Sequence, residues 1–225
     1  MTDVYAHRGA HLNTRENTLD AFREARALGV AGVELDVRRT ADGALVVHHD
    51  PVVELMVIAH TNARDLPGFV PHLDESLAEL RGLRVNVEIK NSRDPSEPTY
   101  DDSGTLVGDV VACVRASTGS SILISCFDRA TCRQVREAGN DIEVAWLLAK
   151  GSLGEYFEIA RDERFSALNP HYSMVTPESQ RHATEMGLSL NVWTVNSARD
   201  LTAMGHAGVA SVITDEPALA LELLA

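Results

Sequence analysis

The chain has 225 residues, 44% of them hydrophobic and 24% charged, with a formal net charge of −13. This is the composition of a single globular domain with a full core. The acidity, without any run of Lys and Arg, excludes nucleic acid and anionic membrane surfaces as expected partners. No apolar run reaches the ~18 residues of a membrane span, so membrane insertion is not expected. Met1-Thr2-Asp3-Val4 leads straight into strand-like sequence with no basic or apolar leader, and the expected location is cytoplasmic. Cys113, Cys126 and Cys132 have no metal-ligand spacing and no even count, so free thiols are expected.

Taken in order, residues 4–7 read as a strand. Thr18 caps a helix whose apolar Leu19, Phe22, Ala25 and Leu28 recur every three residues, and Gly29 ends it. Residues 33–37 form the next strand. Further strands are predicted at 85–89, 122–126, 143–148, 167–170, 190–195 and 211–214. Helical patterns occupy 74–80, 106–116, 129–138, 153–161, 177–186 and 198–204, with Gly139, Gly187 and Gly205 as stops. Residues 50–73 show little periodicity, and residues 92–105 are a polar, proline-containing loop. No repeat or linker divides the chain, so residues 1–225 are expected to form one domain.

Strand–helix alternation predicts a parallel sheet with helical crossovers. Residues 44–49 break the alternation, because only Ala41-Asp42-Gly43 separates them from the second strand. A parallel crossover needs a dozen or more residues. A hairpin turning at Asp42-Gly43 is expected instead, with Ala41 opposite Ala44 and Asp36 opposite His49. Setting that excursion aside leaves about eight parallel strands, the count of a (β/α)₈ TIM barrel.

The chemistry sits at the strand ends. Glu34 and Asp36 alternate with Val33, Leu35 and Val37, so both acids share one strand face. Two partly desolvated carboxylates side by side need a counter-charge, and a hard cation such as Mg²⁺ or Ca²⁺ supplies it. Glu88 and Lys90 share a face of another strand, for which a plain ion pair is the simpler alternative. His7 and Arg8 close the first strand. Glu34, Asp36 and Glu88 are therefore the expected ligands of one divalent cation. Arg8 and Lys90 are expected to hold phosphate charge, and His7 and His49 to act as an acid–base pair. His48 is expected to be structural or exposed. His11, His60, His72, His171, His182 and His206 are assigned to the surface or the pocket rim, with His171 the best placed of these for substrate contact. Glu16-Asn17-Thr18 is read as helix capping and support for Arg8.

These motifs, in this order, resemble the glycerophosphodiester phosphodiesterases. The resemblance runs through Ala6-His7-Arg8-Gly9, Glu16-Asn17-Thr18, Val33-Glu34-Leu35-Asp36-Val37, Thr40-Ala41-Asp42-Gly43, Val47-His48-His49-Asp50-Pro51 and Asn86-Val87-Glu88-Ile89-Lys90. In the C-terminal half it continues through Ser125-Cys126-Phe127, Val192-Trp193-Thr194-Val195-Asn196 and Ile213-Thr214-Asp215. It implies a phosphodiesterase barrel hydrolysing a small glycerophosphodiester to glycerol 3-phosphate and an alcohol. It also implies that Phe127 and Trp193 line the pocket for that alcohol. A lyase forming a cyclic phosphate and a non-catalytic phosphodiester-binding barrel are the alternatives, and self-association is left open. One departure stands out. The family's usual insertion between the His-Asp and Glu-Ile-Lys motifs, often with Arg-Thr-Thr near its start, is reduced here: Val52-Val53-Glu54-Leu55 follows Asp50-Pro51.

Overall fold

The computed structural model describes residues 2–95 and 97–225. The elements run β1 (Asp3–His7), α1 (Leu19–Leu28), β2 (Gly32–Arg39), β3 (Leu45–Val47), β4 (Val52–Val53), β5 (Met56–Val57), α2 (Leu73–Glu79), β6 (Arg84–Ile89), α3 (Thr105–Ala116), β7 (Ser121–Cys126), α4 (Arg129–Ala138), β8 (Glu143–Leu148), α5 (Leu153–Asp162), β9 (Ala167–Pro170), α6 (Pro177–Glu185), β10 (Ser189–Val192), α7 (Ala198–Ala207), β11 (Ser211–Thr214) and α8 (Pro217–Leu224). Among the described residues, eight parallel strands close on themselves in the order β1-β11-β10-β9-β8-β7-β6-β2, and β1 pairs with β2. Helices lie between successive strands, so the fold is the expected (β/α)₈ TIM barrel. No helix of the described residues is long and apolar enough to cross a membrane.

Local chemistry accounts for the element ends. Thr18 accepts from the Ala21 amide, and Gly29 turns left-handed to close α1, as the sequence predicts. Phe22 and Ala25 of that helix are fully buried, whereas Leu28 stays 43% exposed. Two boundaries differ most from expectation, by three residues each. The strand predicted at 190–195 ends at Val192, and Trp193 joins only an isolated bridge to His171. The stop expected at Gly205 comes instead at Gly208, which adopts φ +76 and caps α7. The sequence pattern also gives no period for α8. Its Leu- and Ala-rich run is too uniformly apolar to show a helical period, and Pro217 at its start is the one clear signal.

The hairpin forms, but its register is one residue away from the expected one. Val37 pairs with Val47, Arg38 with Val46 and Arg39 with Leu45. The turn therefore has three residues, 41–43. The Gly43 amide donates to the Thr40 carbonyl at 3.0 Å, and Gly43 adopts φ +85. A type I turn followed by a left-handed glycine gives this geometry. The Asp36 carbonyl thus receives the His48 amide at 3.0 Å, not a bond from His49. The strand then breaks, and the bend that follows delivers His49 to the barrel mouth.

The stretch 50–73, unreadable by periodicity, has its own small core. Val46, Val53, Ile58 and Val70 are buried there, with Met56, Leu66 and Phe69 packed around them. The short β4–β5 hairpin and two single turns of 3₁₀ helix fold around this cluster.

Gly9 lies where the β1 end meets α1. It adopts φ +84, and a β-carbon there would fall 2.7 Å from the Ala21 β-carbon. Gly9→Ala should lower stability by ~1–3 kcal/mol, read from urea unfolding, because both the backbone conformation and the contact oppose it. An unchanged midpoint would show that α1 can move away from β1 freely.

Candidate active site

The alternation in β2 divides its residues between two environments. Val33, Leu35 and Val37 are fully buried in the layer between strands and helices. Glu34 and Asp36 turn the other way, into the barrel. Parallel register sets His7 beside Glu34, Glu34 beside Asn86, and Asp36 beside Glu88. The three acids Glu34, Asp36 and Glu88 consequently bring one oxygen each within 4.8 Å of one another.

Cations and amides surround this cluster. Lys90 Nζ lies 2.7 Å from Glu88 Oε1 and 3.4 Å from Asp36 Oδ1. Arg8 Nε lies 3.4 Å from Asp36 Oδ2, its Nη1 reaches Glu16 at 2.9 Å, and its backbone amide donates to Glu34 Oε2 at 3.1 Å. Asn17 Nδ2 donates to Asp36 Oδ2 at 2.8 Å. Glu16 and Thr18 behave as the sequence suggests, while Asn17 does more by fastening a carboxylate.

The environments split the two acids of β2. Burial pushes Asp36 up, but Lys90, Arg8, His49 and the Asn17 amide outweigh it and hold the carboxyl down at about 2. Glu34 goes the other way. Burial raises its pKa well above the ordinary value, and the Asp36 and Glu88 charges add to that. Its Oε1 is buried with no hydrogen-bond partner among the described residues. For Lys90, burial opposes the charge, but Glu88 and Asp36 overcome it and raise its pKa. A buried carboxylate oxygen without a donor, among acids repelling one another, fits a hard divalent cation held by Glu34, Asp36 and Glu88.

The two predicted histidines line the same cavity of about 150 Å³, with Arg8, Glu34, Glu88, Lys90, Phe127 and Trp193 around them. His7 Nδ1 meets Asp215 Oδ1 at 2.6 Å, and its Nε2 lies 3.9 Å from Glu34 Oε2. Asp215 is held in turn by His11 Nε2 at 3.2 Å and by Asn196 Nδ2 at 2.7 Å. Burial works against the Asp215 charge, yet the bonds from His11 and His7 keep its carboxyl far below the usual range. An ionised Asp215 assigns the proton to Nδ1 of His7 and leaves Nε2 with its lone pair. His49 shows the same arrangement, with Nδ1 2.8 Å from Asp50 Oδ1. His48 bonds the Asp50 carbonyl through its Nδ1 and stands outside the cavity lining.

Phe127 meets Trp193 edge-on at 5.4 Å, and Trp193 Nε1 donates to the Asn169 carbonyl at 2.7 Å. His171 packs edge-on against Trp193 at 5.3 Å and bonds Ser173, so it borders the aromatic wall instead of lining the cavity. Asp215, His11 and Asn196 escaped the sequence reading of roles. The available signal was the Thr-Asp pair closing the last strand, which a closed barrel must place beside the first.

A model of the glycerophosphoryl diester phosphodiesterase family matches residues 7–219. The chain is 31% identical over 247 aligned positions to a glycerophosphodiester phosphodiesterase of Caldanaerobacter subterraneus subsp. tengcongensis, covering 99% of this chain and 98% of that one. Its fold resembles the glycerophosphodiester phosphodiesterase of Thermotoga maritima, with TM-score 0.84, 25% identity and coverage of 99% and 98%. It also resembles an Oleispira antarctica phosphodiesterase solved with the product sn-glycerol-3-phosphate, with TM-score 0.88, 18% identity and coverage of 100% and 97%.

The electrostatics of Glu34 generate a stability test. A carboxyl with a raised folded pKa loses stability as pH climbs from its ordinary value through the raised one. In chelator at neutral pH, Glu34→Gln should therefore melt higher than the parent, by about 2–4 °C for each kcal/mol regained. Millimolar Mg²⁺ or Ca²⁺ should raise the midpoint of the parent and leave that of the variant unmoved. A parent that ignores both ions would remove the cation from the site.

Proposed function

The chain belongs to the glycerophosphoryl diester phosphodiesterase family, a family of phosphoric diester hydrolases, and we propose that it cleaves glycerophosphodiesters to glycerol 3-phosphate and an alcohol with one divalent cation. The charge of a single cavity carries this reading. Glu34, Asp36 and Glu88 face Arg8 and Lys90, and Glu16 already pairs with Arg8, so acids outnumber bases around the cluster. A divalent cation offsets that excess and gives an anionic phosphodiester its counter-charge.

Bound by Glu34, Asp36 and Glu88, Mg²⁺ or Ca²⁺ supplies Lewis-acid polarisation of a phosphoryl oxygen. The protein's own groups do the remainder. Arg8 presents a guanidinium to the phosphate, and Lys90 a point charge from the other side of Asp36. One of His7 and His49 accepts the proton of the attacking water as its oxygen bonds to phosphorus. The other gives a proton to the alkoxide as the phosphorus–oxygen ester bond breaks. Asp215 and Asp50 hold the two imidazoles with Nδ1 protonated, so each offers Nε2 for that transfer. Phe127 and Trp193 give the alcohol an apolar wall. The 50–73 segment and the loop after Lys90 together wall the neighbouring cavity instead.

The test is release of glycerol 3-phosphate from glycerophosphocholine and glycerophosphoethanolamine with Mg²⁺, Ca²⁺ or chelator. Release should need a divalent ion. His7→Ala and His49→Ala should each lower kcat by roughly 10²–10⁴, the worth of a positioned acid or base. Full activity in chelator would sink the cation role, and a cyclic phosphate seen by phosphorus NMR would replace hydrolysis with the cyclising route.

A further inference from the structure

Between Asn91 and Thr105 the described residues form neither helix nor strand, yet this loop is tied to the reactive side of the barrel by one buried group. Arg38, at the top of β2, has only 7% of its side chain exposed. Its Nη1 and Nη2 donate to the two Glu97 carboxylate oxygens at 2.7 and 2.9 Å. Its Nε and Nη2 donate to the His49 carbonyl at 2.9 and 2.5 Å. One planar guanidinium thus binds a carboxylate of the loop and the backbone of the histidine. His49 follows the end of β3, where strand pairing no longer holds it.

A buried ion pair is weak evidence of stabilisation, because desolvation consumes most of the attraction. Its value lies in geometry, and a bidentate fork fixes position better than a point charge does. The loop is secured elsewhere too. Asn91 exchanges hydrogen bonds with the Asp101 backbone, and Arg93 stacks on Tyr100 at 3.9 Å. Only Glu97 among these ties leads to His49. The loop and Arg38 also wall a neighbouring cavity of about 280 Å³, to which Lys90 contributes, as it does to the catalytic one. The seat of the loop and the seat of the histidine therefore share one side chain.

We propose that Arg38 is a positioning residue that, through Glu97, couples closure of the loop after Lys90 to the placement of the His49 imidazole. The inference rests on His49 as a proton-transfer group. Its structural half can be read without activity.

Glu97→Gln, Arg38→Lys and Arg38→Met are compared by hydrogen–deuterium exchange and by kinetics on glycerophosphocholine. In Glu97→Gln, exchange should rise both in peptides spanning Glu97 and in peptides spanning His49, with little change in melting temperature. Its kcat should fall several-fold with KM nearly constant. Arg38→Met should lose about tenfold or more, a misplacement effect, and Arg38→Lys, keeping charge without the fork, should not restore it. The double variant should be no worse than Arg38→Met alone. Faster exchange around Glu97 with none around His49 would overturn the coupling, as would kcat within twofold of the parent in Glu97→Gln. If Arg38→Met does not fold, Glu97→Gln decides. If the parent hydrolyses nothing while the exchange coupling appears, the functional reading falls and the clasp stands.

Discussion

Three carboxylates crowd to within 4.8 Å of one another at one end of a barrel, and the backbone around them answers that crowding. Two non-glycine residues in left-handed conformation flank the cluster, Arg8 at φ 56 and Asn17 at φ 54. They are joined by a hydrogen bond from the Asn17 amide to the Arg8 carbonyl at 2.9 Å. Asn accepts such a conformation with little cost, and Arg does not. The return is concrete. The Arg8 turn points its amide at Glu34 while its guanidinium reaches Asp36, and the Asn17 turn presents an amide group to Asp36. Backbone strain is spent where the negative charge is densest.

Chemistry and stability occupy different surfaces of the same strands. On the outside, Val33, Leu35, Val37, Val85, Val87 and Ile89 join one apolar layer with the helices. On the inside, Asn86 stands beside Glu34 and Ser125 beside Glu88, and these two and Asn169 are buried, each with a side-chain polar atom that has no partner among the described residues. Barrel interiors are usually filled by branched apolar side chains. Here the apolar packing lies in the outer layer, and the lumen between these strands is polar. Substitutions in the two layers should consequently have separable effects, the outer on folding and the inner on the site.

Much of this was legible in the sequence, and the reasons are physical. A period of two with acids on one phase defines which face of β2 turns inward, whatever surrounds it. Strand–helix alternation and the short 41–43 connection distinguish the barrel from its excursion. Legibility ended where position depends on a single residue of register or on contacts distant in sequence. Asp-Gly suggested a two-residue turn, and the left-handed Gly43 made it three, so His49 reached the cavity by a bend and not by pairing with Asp36. Arg38 follows the predicted strand 33–37, and nothing local shows that Glu97 lies within its reach. The 50–73 segment stayed unread because its core, from Val46 to Val70, is assembled from single apolar residues without a period.

Closure of the barrel joins the two ends of the reading frame. The carboxylate that sets the tautomer of His7 comes from Asp215, 208 positions later, and the strands carrying them are neighbours only once β11 has docked on β1. During synthesis the N-terminal half, with Glu34, Asp36, His49, Glu88 and Lys90, is made long before that partner. A chain stopped short of β11 has its acids, its lysine and both histidines, but His7 lacks its anchor and the barrel keeps an open seam. The anchoring of His7 therefore arrives last, together with the strand that removes the exposed edge. The event that makes the fold safe from edge-to-edge pairing also completes the histidine.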